Sequence, residues 1–245
     1  MRITAWCIVL GAWCVVAGCG RPKVERVEWV VMDTVAAVQF RGGPVERGVV
    51  EAVRAAFEKT NAEFNAFDAQ SEIRRTGNCT AFGRSCWDFA FKLRDETGGA
   101  FDPRWRGTNT LDFGAVAKGF AVDVAAEKVK ALALESDVLI DLGGNLKAVK
   151  GEWKVGVRDG ESFVLHEGEA CATSARYYRG GHIKDARTGG EVTNAVHSIT
   201  VVHPSSAMIA DGLSTTLFIL GREKGEAFLK KHYPEARAVW IDAGL

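Results

Sequence analysis

Residues 112–123 read DFGAVAKGFAVD, and no other stretch limits the chain so tightly. Leu111 and Asp112 read as the end of a short apolar strand edge. Gly114 makes a tight turn, and a helix runs from about Val116 to near Leu134, with Phe120, Val124 and Val129 facing inward. Such a turn aims several free backbone N–H groups at one point, with the positive end of a helix dipole behind them. That arrangement suits a phosphate or a diphosphate. Lys118 adds a full positive charge in the first helical turn. Asp112 can accept hydrogen bonds from a ligand or help hold a cation. The plain alternative is a joint whose glycines only permit close packing.

The rest of the chain reads as alternating short strands and helices. Residues 28–40 are apolar and β-branched and predict a first strand, closed by Gly42-Gly43-Pro44. Val49, Val50, Val53, Ala56 and Phe57 recur at helical spacing within 46–64. Ser71 is placed to cap a short turn. Residues 85–96 predict a second helix, with Trp87, Phe91 and Leu93 inward, stopped by Thr97-Gly98-Gly99. Strands are predicted at 138–141, 146–149, 153–157, 163–165, 169–173, 198–203 and 236–241. Helices are predicted from Pro204-Ser205-Ser206 to about Leu220 and over 223–231. The order is too irregular for a doubly wound βαβ fold. It predicts one compact α+β domain with a mixed, largely antiparallel sheet.

The N-terminus carries a different signal. Arg2 gives a short positive start, residues 3–16 are uncharged and largely apolar, and Val16-Ala17-Gly18-Cys19 follows as a lipobox. This is the order of a secretory signal, and the apolar run is short for a membrane span. The expectation is a lipoprotein signal over 1–18, lipidation of Cys19, a polar tether over 19–28 and the folded domain over 29–245. That places the protein in a bacterial envelope, facing away from the cytoplasm. Lys and Arg total 31, as do Asp and Glu, so the net charge is zero. Nothing electrostatic argues for nucleic acid or an anionic surface. Cys79, Cys86 and Cys171 remain after the signal and do not make a disulfide framework.

Three further motifs carry potential chemistry. In ADGLSTT, residues 210–216, Asp211 and Thr215 lie four apart and share one helix face. A carboxylate and a hydroxyl so placed can hold a hard cation, and magnesium needs few protein ligands. Thr173 and Ser174 set hydroxyls at a strand end, ahead of HIKDARTG over 182–189. There His182 and Asp185 are candidate proton acceptors, ligands or orienters. In DLGGN, residues 141–145, adjacent glycines let a ligand or another backbone approach.

Taken in order, these stretches resemble the FAD:protein FMN transferase family, the ApbE-like flavin transferases. The matching pieces are Met32-Asp33-Thr34, Ser71-Glu72-Ile73, Gly99-Ala100-Phe101-Asp102-Pro103, 112–123, Leu142-Gly143-Gly144, Thr173-Ser174, 182–189 and 198–221. The resemblance implies a T-fold-like domain. It implies FAD as substrate, Mg²⁺ beside its diphosphate, and an acceptor protein whose Thr or Ser hydroxyl receives FMN as AMP leaves. It assigns Asp211, Thr215 and the backbone carbonyl of Ala115 to the metal. Met32, Phe67, Ala100, Phe101, Asp102, Asp112, Lys118 and Lys184 fall at FAD contacts, and His182 or Asp185 at the general base. Metal-dependent cleavage of FAD by water and flavin binding without turnover are the alternatives. The chain departs from the family pattern at Asp33, where glycine is usual, and is short between Pro103 and Asp112 and over 176–181.

Overall fold

The computed structural model describes residues 23–107, 110–157, 162–176 and 183–242. Its first strands are β1 (Val24–Val31) and β2 (Thr34–Arg41), joined by a two-residue turn. The sequence predicts one strand over 28–40. The structure divides it because Met32 and Asp33 take left-handed backbone, φ 52° and 55°. That is the geometry of a hairpin turn matched to strand twist, usually made by Asn-Gly. β1 also takes in residues 24–28, expected as tether, since each pairs with β2.

Helices α1 (Arg47–Phe64), α2 (Glu72–Thr76), α3 (Arg84–Glu96) and α4 (Ala117–Lys130) follow. On α3 the buried face is Cys86, Phe89, Ala90 and Leu93; Trp87 and Phe91 are only half-buried. No strand ends at Leu111–Asp112; that segment is irregular, its Asp112 N–H donating to the Pro103 carbonyl at 2.8 Å. Then come β3 (Asp137–Leu142), β4 (Asn145–Lys150), β5 (Trp153–Gly156), β6 (Ser162–Leu165), β7 (Ala170–Ala175), β8 (Val196–His203), α5 (Ala207–Leu220), α6 (Arg222–His232) and β9 (Arg237–Asp242).

Seven strands form one sheet in the order β1-β2-β3-β4-β7-β8-β9, every neighbouring pair antiparallel, and β5–β6 is a separate hairpin. The alternation of strand side chains sorts the core. Val38 and Phe40 of β2, with Val138, Ile140 and Leu142 of β3, face α1 and α4. Ala172 of β7, with Ile199 and Val201 of β8, faces a cluster that includes residues of α3, α5 and α6. Leu139, Ala148, Cys171 and Val202 point to the other side and pack against Trp153 and Leu165 of the hairpin. The DLGGN pair is the β3–β4 turn. Gly143 is left-handed, φ 59°, and a Cβ there would lie 2.4 Å from Thr34 Oγ1, so the group that approaches it is Thr34. Cys79, Cys86 and Cys171 are buried free thiols.

Candidate functional site

Two helices meet at the centre of the fold. α5 is apolar nearly all round and buries Leu213, Leu217 and Phe218, yet it also buries Asp211, 5% exposed. A carboxylate so placed requires partners. They come from the start of α4. Gly119 N–H donates to Asp211 Oδ2 at 3.0 Å, and Lys118 Nζ stands 3.4 Å from the same oxygen. Burial raises the pKa of Asp211, opposed by Lys118 and by the Gly119 hydrogen bond. Among the described residues no donor reaches Oδ1.

The diverted N–H has a consequence. In a regular helix Gly119 N–H would donate to the Ala115 carbonyl. Here it turns to Asp211, and among the described residues no donor reaches the Ala115 carbonyl. Among those residues the N–H groups of Ala115 and Lys118 likewise meet no acceptor, and Val116 at the N-cap supplies no side-chain cap. Lys118 Nζ is steadied by the Gly114 carbonyl at 2.8 Å. The start of α4 therefore offers N–H groups and an ammonium to an anion. Beside them stand oxygens of Ala115 and Asp211.

Thr215, one turn beyond Asp211, sits 3.2 Å from Ser174 Oγ, which is also 2.9 Å from Ser214 Oγ. Thr173 Oγ1 is instead 2.8 Å from Thr200 Oγ1. Carboxylate, carbonyl and hydroxyl oxygens are the donors a hard divalent cation takes. Among the described residues no group of three or more His, Cys, Asp or Glu is placed to hold a metal ion.

The other candidate segments make contacts of their own. Ala186 N–H donates to the Ala100 carbonyl at 3.1 Å, which sets 183–190 against 100–102. Ala100 and Phe101 are buried, and Asp102 Oδ1 accepts from Arg104 N–H at 2.8 Å. Asp112 is committed on both oxygens, to Gly114 N–H at 2.9 Å and Arg106 Nε at 2.7 Å. The Arg106 guanidinium also lies over Phe67, itself 69% exposed, and over Trp105. Met32 packs against both large clusters. Lys184 forms a backbone bridge with Glu191.

Asp185 is held by Arg187, which donates from its backbone N–H at 3.0 Å, Nε at 3.0 Å and a terminal nitrogen at 2.6 Å. These bonds hold its carboxyl below the usual range, the Arg187 side chain contributing most. A stabilised carboxylate is a weak proton acceptor. His182 and Cys19 lie outside the described residues.

Sequence reasoning missed Asp123. Its carboxylate accepts from Ala207 N–H at 2.9 Å, Met208 N–H at 3.0 Å, Ser206 Oγ at 2.7 Å and Lys147 Nζ at 2.7 Å. Ser206 Oγ accepts from Ile209 N–H, and His203 Nδ1 accepts from Ser206 N–H at 3.0 Å. The unpaired N–H groups that open α5 are thus all taken, which leaves the α4 start as the anion-receptive one of the two. A signal existed. Lys147 shares the inward parity of Asn145 and Val149 on β4, and a buried lysine needs an anion.

A model of the ApbE family matches residues 105–240. The FAD:protein FMN transferase of Treponema pallidum is 33% identical over 159 residues, covering 54% of this chain and 43% of the relative. That of Haemophilus influenzae is 33% identical over 143 residues, covering 50% of this chain and 41% of the relative. The matched region thus spans less than half the length of these relatives. Among solved structures, the flavin transferase ApbE of Vibrio cholerae superposes with a TM-score of 0.75 at 21% identity, covering 91% of this chain and 94% of the other. The apo flavinyl transferase ApbE of Pseudomonas stutzeri gives 0.76 at 21% identity, covering 93% of each. At that identity the superpositions establish the fold.

Proposed function

This chain belongs to the ApbE family, and from that footing we propose that it transfers FMN from FAD to a Thr or Ser hydroxyl of an acceptor protein, releasing AMP. The observation that carries this reading is the junction of α4 and α5. One N–H is drawn off the Ala115 carbonyl to the Asp211 carboxylate, leaving an oxygen of each residue without a protein donor among the described residues. Asp211, Thr215 and Ala115 are the residues that would hold Mg²⁺. When bound, that ion supplies charge neutralisation at diphosphate oxygens.

The chain's own groups do the rest. The N–H groups of Ala115 and Lys118 bind and orient the diphosphate, and the Lys118 ammonium offsets charge gathering on the departing AMP phosphate. The acceptor oxygen attacks the FMN phosphorus and forms a phosphoester bond. The bond from that phosphorus to the bridging oxygen breaks, and AMP leaves with the electron pair. The acceptor proton passes to a base. His182 is the better candidate, since Asp185 is engaged by Arg187. Met32, Phe67, Ala100, Phe101, Asp102, Asp112 and Lys184 are proposed to line the FAD site, with Arg106 moving from Phe67 and Asp112 as the ligand enters.

We also propose anchoring to a bacterial envelope membrane through lipidated Cys19, supported by the lipobox. Among the described residues no helix is long and apolar enough to cross a membrane. The test of the reaction is AMP release from FAD and Mg²⁺ with and without an acceptor. A transferase releases AMP in step with acceptor labelling. AMP and free FMN at the same rate without acceptor would replace transfer by hydrolysis.

A further inference from the structure

The α4–α5 contact is fastened by two carboxylates running in opposite directions. Asp211 of α5 takes an N–H of α4, and Asp123 of α4 takes two N–H groups and the cap hydroxyl of α5. Between them the helices touch backbone to backbone. A Cβ on Gly119 would lie 2.2 Å from the Ala207 carbonyl oxygen. Asp211 is one turn along from Ala207, so the seat of that first turn fixes where its carboxylate stands relative to Gly119 and Ala115.

Asp123 is bonded to Lys147 and to 206–208 rather than to the proposed cation residues. It holds the beginning of α5, and its remaining donor is Lys147, 2% exposed on the inward face of β4. Lys147 thereby ties the carboxylate to the sheet. The two residues join strand, helix and helix at a point about one turn from the proposed cation oxygens. A short polar side chain on Ser206 already caps Ile209 N–H, so a carboxylate reaching from another helix is more than ordinary capping requires.

Resting on the function proposed above, we infer that Asp123 and Lys147 are positioning residues for the cation site, setting α5 so that the oxygens of Asp211, Thr215 and Ala115 converge. Asp123→Asn keeps the shape but replaces one of two oxygens, each of which accepts two hydrogen bonds, by an NH₂ that accepts none.

The test titrates Mg²⁺ calorimetrically into the wild-type protein and Asp123→Asn, and measures the Mg²⁺ dependence of FMN transfer for both. The expected result is a rise of about tenfold or more in half-saturating Mg²⁺ by both methods, with a smaller loss of kcat at saturating Mg²⁺. Lys147→Met shifts half-saturation in the same direction by less. A folded Asp123→Asn protein with unchanged half-saturation and only a lower unfolding midpoint would overturn the proposal and leave Asp123 a helix cap. If Asp123→Asn does not fold, Ser206→Ala takes its place, with the same shift expected and the same null result decisive. Wild-type transfer that ignores Mg²⁺ would overturn the cation site itself, a failure separate from a wild-type protein that binds Mg²⁺ normally and a variant that does so equally well.

Discussion

Replacing Gly119 by alanine sets two known effects against each other. Alanine is favoured over glycine inside a helix by about 1 kcal/mol. At Gly119, however, the added methyl carbon would stand 2.2 Å from the Ala207 carbonyl oxygen, 2.6 Å from its carbon and 2.7 Å from Met208 Cα. These are backbone atoms, so no rotamer change relieves the clash. The helices must part by roughly 1 Å to reach a tolerable contact. Overpacking of this kind costs about 1–3 kcal/mol. Separation also stretches the Gly119 hydrogen bond to the buried Asp211 carboxylate, and a bond to a charged group contributes about 1.5–3 kcal/mol. The costs exceed the propensity gain, and we expect a net loss of about 2–4 kcal/mol. Urea unfolding at equal protein concentration reads this as a lowered midpoint. Gly48→Ala is the control. Gly48 lies in the first turn of α1 with nothing within 4 Å of an added Cβ, so alanine there stabilises by up to about 1 kcal/mol. A Gly119→Ala midpoint at or above wild type would refute the packing argument, and with it the account of why Asp211 reaches this N–H.

Three other expectations follow from the same structure. Gly143→Ala brings a Cβ to 2.4 Å from Thr34 Oγ1, whereas Gly144→Ala meets nothing within 4 Å; both bear left-handed strain of about 1 kcal/mol, and chemical denaturation will show Gly143→Ala the more destabilised. His203 is buried, which lowers its pKa, and its Nδ1 accepts from Ser205 and Ser206 N–H. The unfolded chain therefore takes up the proton first, so this stability is complete above the ordinary histidine pKa of about 6.5 and is lost as pH falls through that value toward the lower folded pKa. His203→Asn, whose carbonyl can accept in place of Nδ1, should flatten that slope in unfolding measured from pH 7.5 to 5. Asp185→Asn should leave the acid limb of the kcat/KM pH profile in place, because Arg187 already stabilises its carboxylate; disappearance of that limb would return Asp185 to the role of base.

Much of the architecture is legible in the sequence because its elements announce themselves locally. The spacing of Val49, Val53 and Phe57 marks α1, and Ser206 and Gly221 bracket α5. The β1–β2 turn was hidden because Met32-Asp33 carries no glycine or asparagine, and its left-handed backbone is imposed by pairing along both strands. Leu111–Asp112 looks strand-like only by its apolar lead-in; its backbone bond goes to Pro103, which composition does not reveal. For the candidate site, Asp211, Thr215, Ala115 and Lys118 are legible only as residue types in a motif order. The contacts among them are not, since Gly119 and Asp211 are 92 positions apart and nothing local specifies their meeting. The role of Asp123 is hidden in the sequence for the same reason. Its donors lie at Lys147 and 206–208, and only the folded sheet brings them to it.

The central claim is that the α4–α5 junction drives FMN transfer with Asp211 at its heart. Mass spectrometry of an acceptor protein incubated with FAD and Mg²⁺ tests it most directly, run in parallel with the wild-type protein and a folded Asp211→Ala variant. The account predicts an FMN adduct on an acceptor Thr or Ser with the wild type and its near absence with the variant. An unlabelled acceptor with the wild type, or equal labelling with Asp211→Ala, would contradict it.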